Sequence, residues 1–158
     1  MTIGKRMSLL ALTAFFVAIV FWLGNSPPKT PRIFLNQRRA VASILSLNLA
    51  EHDYAARYPN IGFACNLGDL GEHGSEALSK LALMDRVLAS GTKSSYHFDI
   101  RCPSGAGTAY AITAVPTEPG ITGQYAFCTD QSREIWYSEK GSPSECLATH
   151  KLIERKYQ

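Results

Sequence analysis

Between Pro31 and Pro59 the chain runs from Arg32 to Tyr58 without a proline or a glycine. No other feature restricts the fold as strongly. Ala40, Ile44, Leu47, Glu51, Tyr54 and Tyr58 follow the three-four step of one helical face, and Glu51 is its only break. Val41, Leu45 and Leu49 add further apolar positions. Pro59 removes the next amide donor and biases Tyr58 away from the α region, so the helix ends there. The stretch predicts one helix of about 25 residues, which needs a partner surface along its length because most helical stability comes from packing.

The partner surface is written further along. After Lys93 the apolar period changes from 3.6 to 2: Tyr96, Phe98 and Ile100 alternate with His97, Asp99 and Arg101. Ser104 to Thr108 turns the chain, and a second strand runs from Tyr110 to Val115. Pro116 to Gly123 is a loop, Gln124 to Thr129 a third strand, and Asp130-Gln131-Ser132 a tight connection into a fourth, Glu134 to Tyr137. Loops this short join antiparallel neighbours. Between helix and strands, Gly62 to Gly74 reads as a loop. Ser75 then caps a second helix with Leu78, Leu81, Ala82, Met84 and Leu88 on its apolar face and Gly91 past its end. The expected class is α+β: a long helix packed on a four-stranded antiparallel sheet.

Ahead of this body, Met7 to Gly24 is an uncharged apolar run of eighteen residues. At about 1.5 Å per residue it spans roughly 27 Å, close to the thickness of a hydrocarbon core. The flank FWLGNSPPKTP places no small residues where a signal peptidase needs them, so an uncleaved anchor is preferred over a cleaved leader. Met7, Leu10, Phe15, Phe16, Val20 and Trp22 are the expected anchor residues, with Trp22 fitting an interfacial position. The expected organisation is an anchor at 1–24, a stiff spacer at 25–31 with three prolines, a globular domain at 32–147 and a polar tail at 148–158 without a periodic face to dock.

The charges around the anchor and the cysteines give opposite topologies. Lys5 and Arg6 precede the run, while Lys29, Arg32, Arg38 and Arg39 follow it, which by a literal positive-inside count keeps the body in the cytoplasm. Cys65, Cys102, Cys128 and Cys146 are even in number, form no CxxC and have no zinc-finger spacing to histidine. Four such cysteines in a body this size read as two disulfides, whose connectivity the residues leave open, and disulfides require an oxidising compartment. The cysteines are given the greater weight. Beyond Gly24 the chain carries 14 basic and 13 acidic side chains. That is no electrostatic footprint for nucleic acid.

No constellation in the sequence supports an enzyme, a metal site or a cofactor, and no small-molecule substrate is evident. Glu51, His52 and Asp53 are adjacent, but consecutive helical residues point about 100° apart, so they read as a solvated helix edge. A His52–Cys65 thiolate pair lacks an orienting third group. An envelope hydrolase built on it predicts activity lost in His52→Ala or Cys65→Ala. His73 reads as an exposed loop residue, His97 as a residue of the sheet's polar side, and His150 as part of the tail. Ser104 to Thr108 lacks the ending of a phosphate loop and joins two strands.

Beyond these local readings, the stretch RRAVASILSLNLAEHDYAARYPNIGFACNLGDLG, with its long helix, Tyr-Pro and following Cys, resembles the start of the globular part of bacterial type IV pilin-like proteins. VLASGTKSSYHF, YAITAVPTEPGITGQYAFCTDQSREIWY and Cys146 continue the likeness over roughly Gln37 to Leu147. The resemblance implies a long helix packed on an antiparallel sheet and a disulfide closing a C-terminal loop. Cys128 with Cys146 would take that role, contributing about 3 kcal/mol by chain entropy, and Cys65 would be left with Cys102. It also implies a single-pass protein of the bacterial inner membrane with its domain in the periplasm or outside the cell. Its partners would be pilin-like or secretion-system subunits. The N-terminus departs from the family: Gly4 is followed by Lys5-Arg6, no Glu interrupts Met7 to Leu23, and the proline spacer breaks what pilins keep as one helix. A tethered envelope binding module that does not polymerise is the alternative.

Overall fold

One long helix lies across one face of an antiparallel sheet in the structure, a computed structural model that describes residues 31–71, 86–105, 107–153 and 157. Helix α1 spans Arg32–Arg57, 26 residues. Its start has no side-chain cap, and the Leu35 amide donates to the Pro31 carbonyl at 3.2 Å. It stops at Tyr58, whose ψ of 63° leaves the helical region one residue before Pro59. Among the described residues no helix is long and apolar enough to cross a membrane. The expected anchor residues Met7, Leu10, Phe15, Phe16, Val20 and Trp22 lie outside the described residues, as do His73 and Leu78 to Met84 of the expected second helix.

Two short helices follow α1. Helix α2, Leu67–Leu70, is capped by the Asn66 side chain, which accepts from the Asp69 amide. Helix α3, Arg86–Ala89, falls within the range of the expected second helix and buries Leu88. Five strands then form a meander in the order β1-β2-β3-β4-β5, each pair antiparallel. They are β1 (Thr92–Lys93), β2 (Tyr96–Arg101), β3 (Ala111–Pro116), β4 (Ala126–Asp130) and β5 (Trp136–Ser138). The sequence gives four strands rather than five because β1 is two residues long and its turn has no marker. Ser94 and Ser95 both adopt positive φ, 51° and 62°, where Asn-Gly is the usual pair.

The period-2 reading of β2 holds residue by residue, with Tyr96, Phe98 and Ile100 buried and His97, Asp99 and Arg101 exposed. These side chains, with Ile112, Ala114 and Phe127, meet Ala40, Val41, Ile44, Leu47 and Tyr54 of α1 in one core. Polar contacts fix the register of helix on sheet. Asn48 Nδ2 donates to Thr129 Oγ1 at 3.3 Å, and Tyr110 Oη donates to Asn48 Oδ1 at 3.0 Å. Buried polar groups without such partners would cost more than the bonds gain.

The tail differs from its sequence reading as an undocked segment. Ser142 caps a helix α4, Pro143–Thr149, which packs beside β4 and β5. The chain then turns at His150 (φ 49°) and runs back along β5. There the Tyr137 amide donates to the Lys151 carbonyl at 2.8 Å, and the Ile153 amide to the Ile135 carbonyl at 3.1 Å. Ile153 and Tyr157 are buried, with the Tyr157 ring against Phe34, Tyr125 and Phe127. This docking needs no periodicity, because backbone pairing does not depend on side-chain pattern. Truncation after Thr149 should therefore lower stability by about 2–5 kcal/mol, the range for emptying a large apolar site. Urea unfolding of the full chain and the truncated form measures it, and equal midpoints would show that the tail contributes nothing.

Candidate functional site

Two places in the fold carry chemistry or shape beyond packing. The first is buried. Glu51 stands on the inward face of α1 and is fully buried, so the expectation of a solvated edge at Glu51-His52-Asp53 is wrong for its first member. Its Oε2 accepts from the Ala64 amide at 2.9 Å, and Oε1 has no hydrogen-bond partner. Burial pushes the carboxyl up to about 8; the Ala64 bond opposes this and the Asp69 charge adds to it. His52, one step round the helix, is half-buried, with Nε2 buried and unpartnered. Its ring meets Phe63 and Tyr110 edge-on at 5.6 and 6.4 Å.

Glu51 thus latches the loop after α1 onto the helix. The same loop is held at two further points. Cys65 is bonded to Cys102 just past β2, with Cα atoms 5.0 Å apart. Gly62 and Gly107 meet backbone to backbone, the Phe63 amide donating to the Gly107 carbonyl at 2.7 Å. A Cβ on Gly62 would stand 2.2 Å from the Gly107 oxygen, and both glycines have positive φ, so no other residue fits either position. Cys65 is therefore unavailable as a thiolate, and the His52–Cys65 pair weighed from sequence is not one. Among the described residues no group of three or more His, Cys, Asp or Glu is placed to hold a metal ion.

The second place is the sheet face turned away from α1. Cys128 of β4 is bonded to Cys146 of α4, Cα atoms 6.0 Å apart. Trp136 and Leu147 complete a small apolar cluster around this bond. Helix α4 is set by local chemistry: Ser142 Oγ accepts from the Glu145 amide, Pro143 occupies the first turn, and Glu145 Oε2 accepts from Ser138 Oγ at 2.6 Å. The Ser-x-x-Glu spacing of a capping box and the Pro at its start were legible in the sequence and announce this helix, which was missed. Past its end the His150 ring stacks on Trp136, centroids 4.0 Å apart.

Between α4 and the uncovered strands β2 and β3 runs a groove of roughly 190 Å³, lined by Asp99, Arg101, Ala111, Thr113, Pro143, Ser144 and Leu147. Its floor is of small side chains and its rim carries an exposed Arg101–Asp99 pair at 2.5 Å. Pockets that engulf a small molecule run to about 300–1,000 Å³, so this groove suits a protruding side chain of a macromolecule better than an enclosed ligand. His97 stands on the same face, exposed, with Nδ1 2.9 Å from Thr92 Oγ1, as its strand position predicts.

No family model, no curated protein and no solved structure matches the chain. The fold class and both disulfide pairs are thus what the structure establishes.

The buried carboxyl sets a pH dependence with a definite sign. The folded state holds the Glu51 proton more tightly than the unfolded chain, from its ordinary 4.5 up to about 8. The stability this proton confers is complete below the unfolded value, declines as pH rises through the window between the two, and is gone above the folded value. One proton gives a slope of at most about 1.4 kcal/mol per pH unit. Glu51→Gln keeps an acceptor for the Ala64 amide and removes the titration. Urea midpoints from pH 5 to 8 should fall for the native chain and flatten in the variant; an unchanged slope in Glu51→Gln would assign the dependence elsewhere.

Proposed function

We propose that this chain is a membrane-anchored, extracytoplasmic interaction protein of pilin-like design, a component of an atypical type IV pilus or of a type II secretion apparatus. The observation that carries the reading is the disulfide pairing. Cys128–Cys146 is the pair the pilin resemblance implies, Cys65–Cys102 is the pair it leaves over, and both accompany a long helix packed on an antiparallel meander. Disulfides of this kind persist only in an oxidising compartment, which agrees with an apolar N-terminal run that tethers the body outside the cytoplasm. A helix on an antiparallel sheet is common to many unrelated functions, so the fold by itself supports only the class. The working surface in this reading is the outer sheet face with its disulfide-pinned helix α4.

A second reading is favoured by the N-terminus. Gly4-Lys5-Arg6 and the absence of an acidic residue from Met7 to Leu23 do not match a processed pilin, and Asn25 to Pro31 interrupts the helix a filament would use. In that reading the domain is a tethered binding module that does not polymerise.

Intact mass of the membrane-extracted chain, before and after reduction, tests both. A full-length mass that rises by about 4 Da on reduction, two hydrogens per disulfide, is the expected result. A mass beginning near residue 4 would give priority to the filament component. Four thiols that alkylate without reduction would place the body in the cytoplasm and overturn the proposal.

A further inference from the structure

The outward face of α1 carries a second apolar stripe, distinct from the one that makes the core. Leu35, Ala42, Leu45, Leu49 and Ala56 are spaced by sevens, threes and fours and all are exposed, Leu45 and Leu49 by 48% and 51%. Spacing of 3.5 residues is the pattern of a seam between two helices, and here Arg38 and His52 stand at the two seam positions that the steps of seven pass over. Charges flank Leu45 and Leu49: Arg38 and Arg39 lie before them, between Leu35 and Leu45, and Asp53 lies after them. Among the described residues none of these three makes an ion pair. Arg39 and Asp53 each stand seven residues from Ser46, one before it and one after it. The stripe is therefore self-complementary about Ser46 when two copies run in opposite directions.

We infer that two copies of this chain associate through α1, antiparallel, about a twofold axis near Ser46. Leu45 of each copy then lies beside Leu49 of the other, and Leu35 reaches Ala56. Arg39 of each copy faces Asp53 of the other, so the interface closes with two opposite-charge pairs. A parallel pairing of the same stripe in register would instead set Arg38 and Arg39 against their own copies and Asp53 against Asp53. Like charges at that spacing oppose association. Close approach at the axis is open, because Ser46 is small and its hydroxyl is already donated to the Ala42 carbonyl at 3.1 Å. A shallow concavity lined by Arg39, Ala42, Ser43, Ser46, Lys93 and Ser94 flanks the axis. A closed isologous interface ends at two copies, unlike the head-to-tail contacts that build filaments. A single helical stripe is smaller than a standard interface, so the pair belongs to the weak, reversible class.

The test uses the full chain in its membrane. Ser46→Cys should cross-link to itself with a short bifunctional thiol reagent, and Arg39→Cys should not, since antiparallel copies hold residue 39 about 20 Å apart along the axis. Efficient Arg39→Cys cross-linking would show a parallel arrangement and overturn the inference. Leu45→Glu or Leu49→Glu, both at exposed positions, should lower Ser46→Cys cross-linking by about tenfold or more, the effect of losing roughly 1.4 kcal/mol. Charge reversal supplies a control independent of folding. In the Ser46→Cys background, Arg39→Asp alone and Asp53→Arg alone should each reduce cross-linking, and co-expression of the two single variants should restore it between unlike chains. Failure of the mixture to recover would overturn the pairing.

Discussion

The burial of one face of α1 against one face of the sheet is the constraint on which everything else rests. The meander is a single layer, and among the described residues Tyr96, Phe98, Ile112 and Phe127 share one core with the inner face of the helix, with the Tyr157 ring beside Phe127. Conversely a 26-residue helix gains little from its own hydrogen bonds in water and is held by that same burial. Apolar packing alone would allow the helix to slide or roll. The Asn48–Thr129 and Asn48–Tyr110 bonds remove that freedom, since any shift would strand buried polar groups. Glu51 extends the same logic to the end of the helix by holding the Ala64 amide.

Around this two-layer centre the two disulfides act on the periphery. Cys65–Cys102 ties the loop that leaves α1 to the end of β2, across a close glycine-to-glycine contact. Cys128–Cys146 ties α4 to β4 on the opposite face of the sheet. Neither bond crosses the main core. Each pins a segment outside the contact between α1 and the sheet, and a covalent link there stabilises by narrowing the unfolded ensemble. The outer surface has a groove beside α4, a small-residue floor on β3, and a tail that covers the open edge of β5. An uncovered edge strand invites pairing with another chain, so the docked tail also guards against uncontrolled association.

The two faces of α1 separate stability from interaction. Its inner stripe is spent on the core, while the outer stripe of Leu35, Leu45 and Leu49 makes no contribution to it. Leucine on an exposed helix face adds nothing to the core, and in the proposed pairing Arg39 and Asp53, on either side of Leu45 and Leu49, meet a partner running the other way. The outer sheet face and the outer helix face thus lie on opposite sides of the body, and a pair joined through α1 would leave the groove beside α4 free.

Local chemistry written in the chain determined α1, its end at Tyr58-Pro59 and the alternation of β2. It also determined the turn at Asp130, where the side chain accepts from the Ser132 amide. Each of these follows from a proline, a period or a short polar side chain acting on its neighbours. The cap of α4 is equally legible in Ser142, Pro143 and Glu145. Strand β1 was not legible, because two residues carry no period and its turn holds serines in a conformation that usually marks asparagine or glycine. The role of Glu51 was half legible: its position on the inner face showed, but a carboxyl on that face reads as an interruption until the Ala64 amide is brought to it. That amide lies thirteen residues away on a loop with no period of its own. Which cysteine meets which, where the tail docks and what a buried carboxylate holds are long-range facts. They depend on how separate segments close on one another in three dimensions, and no local rule of sequence carries that information.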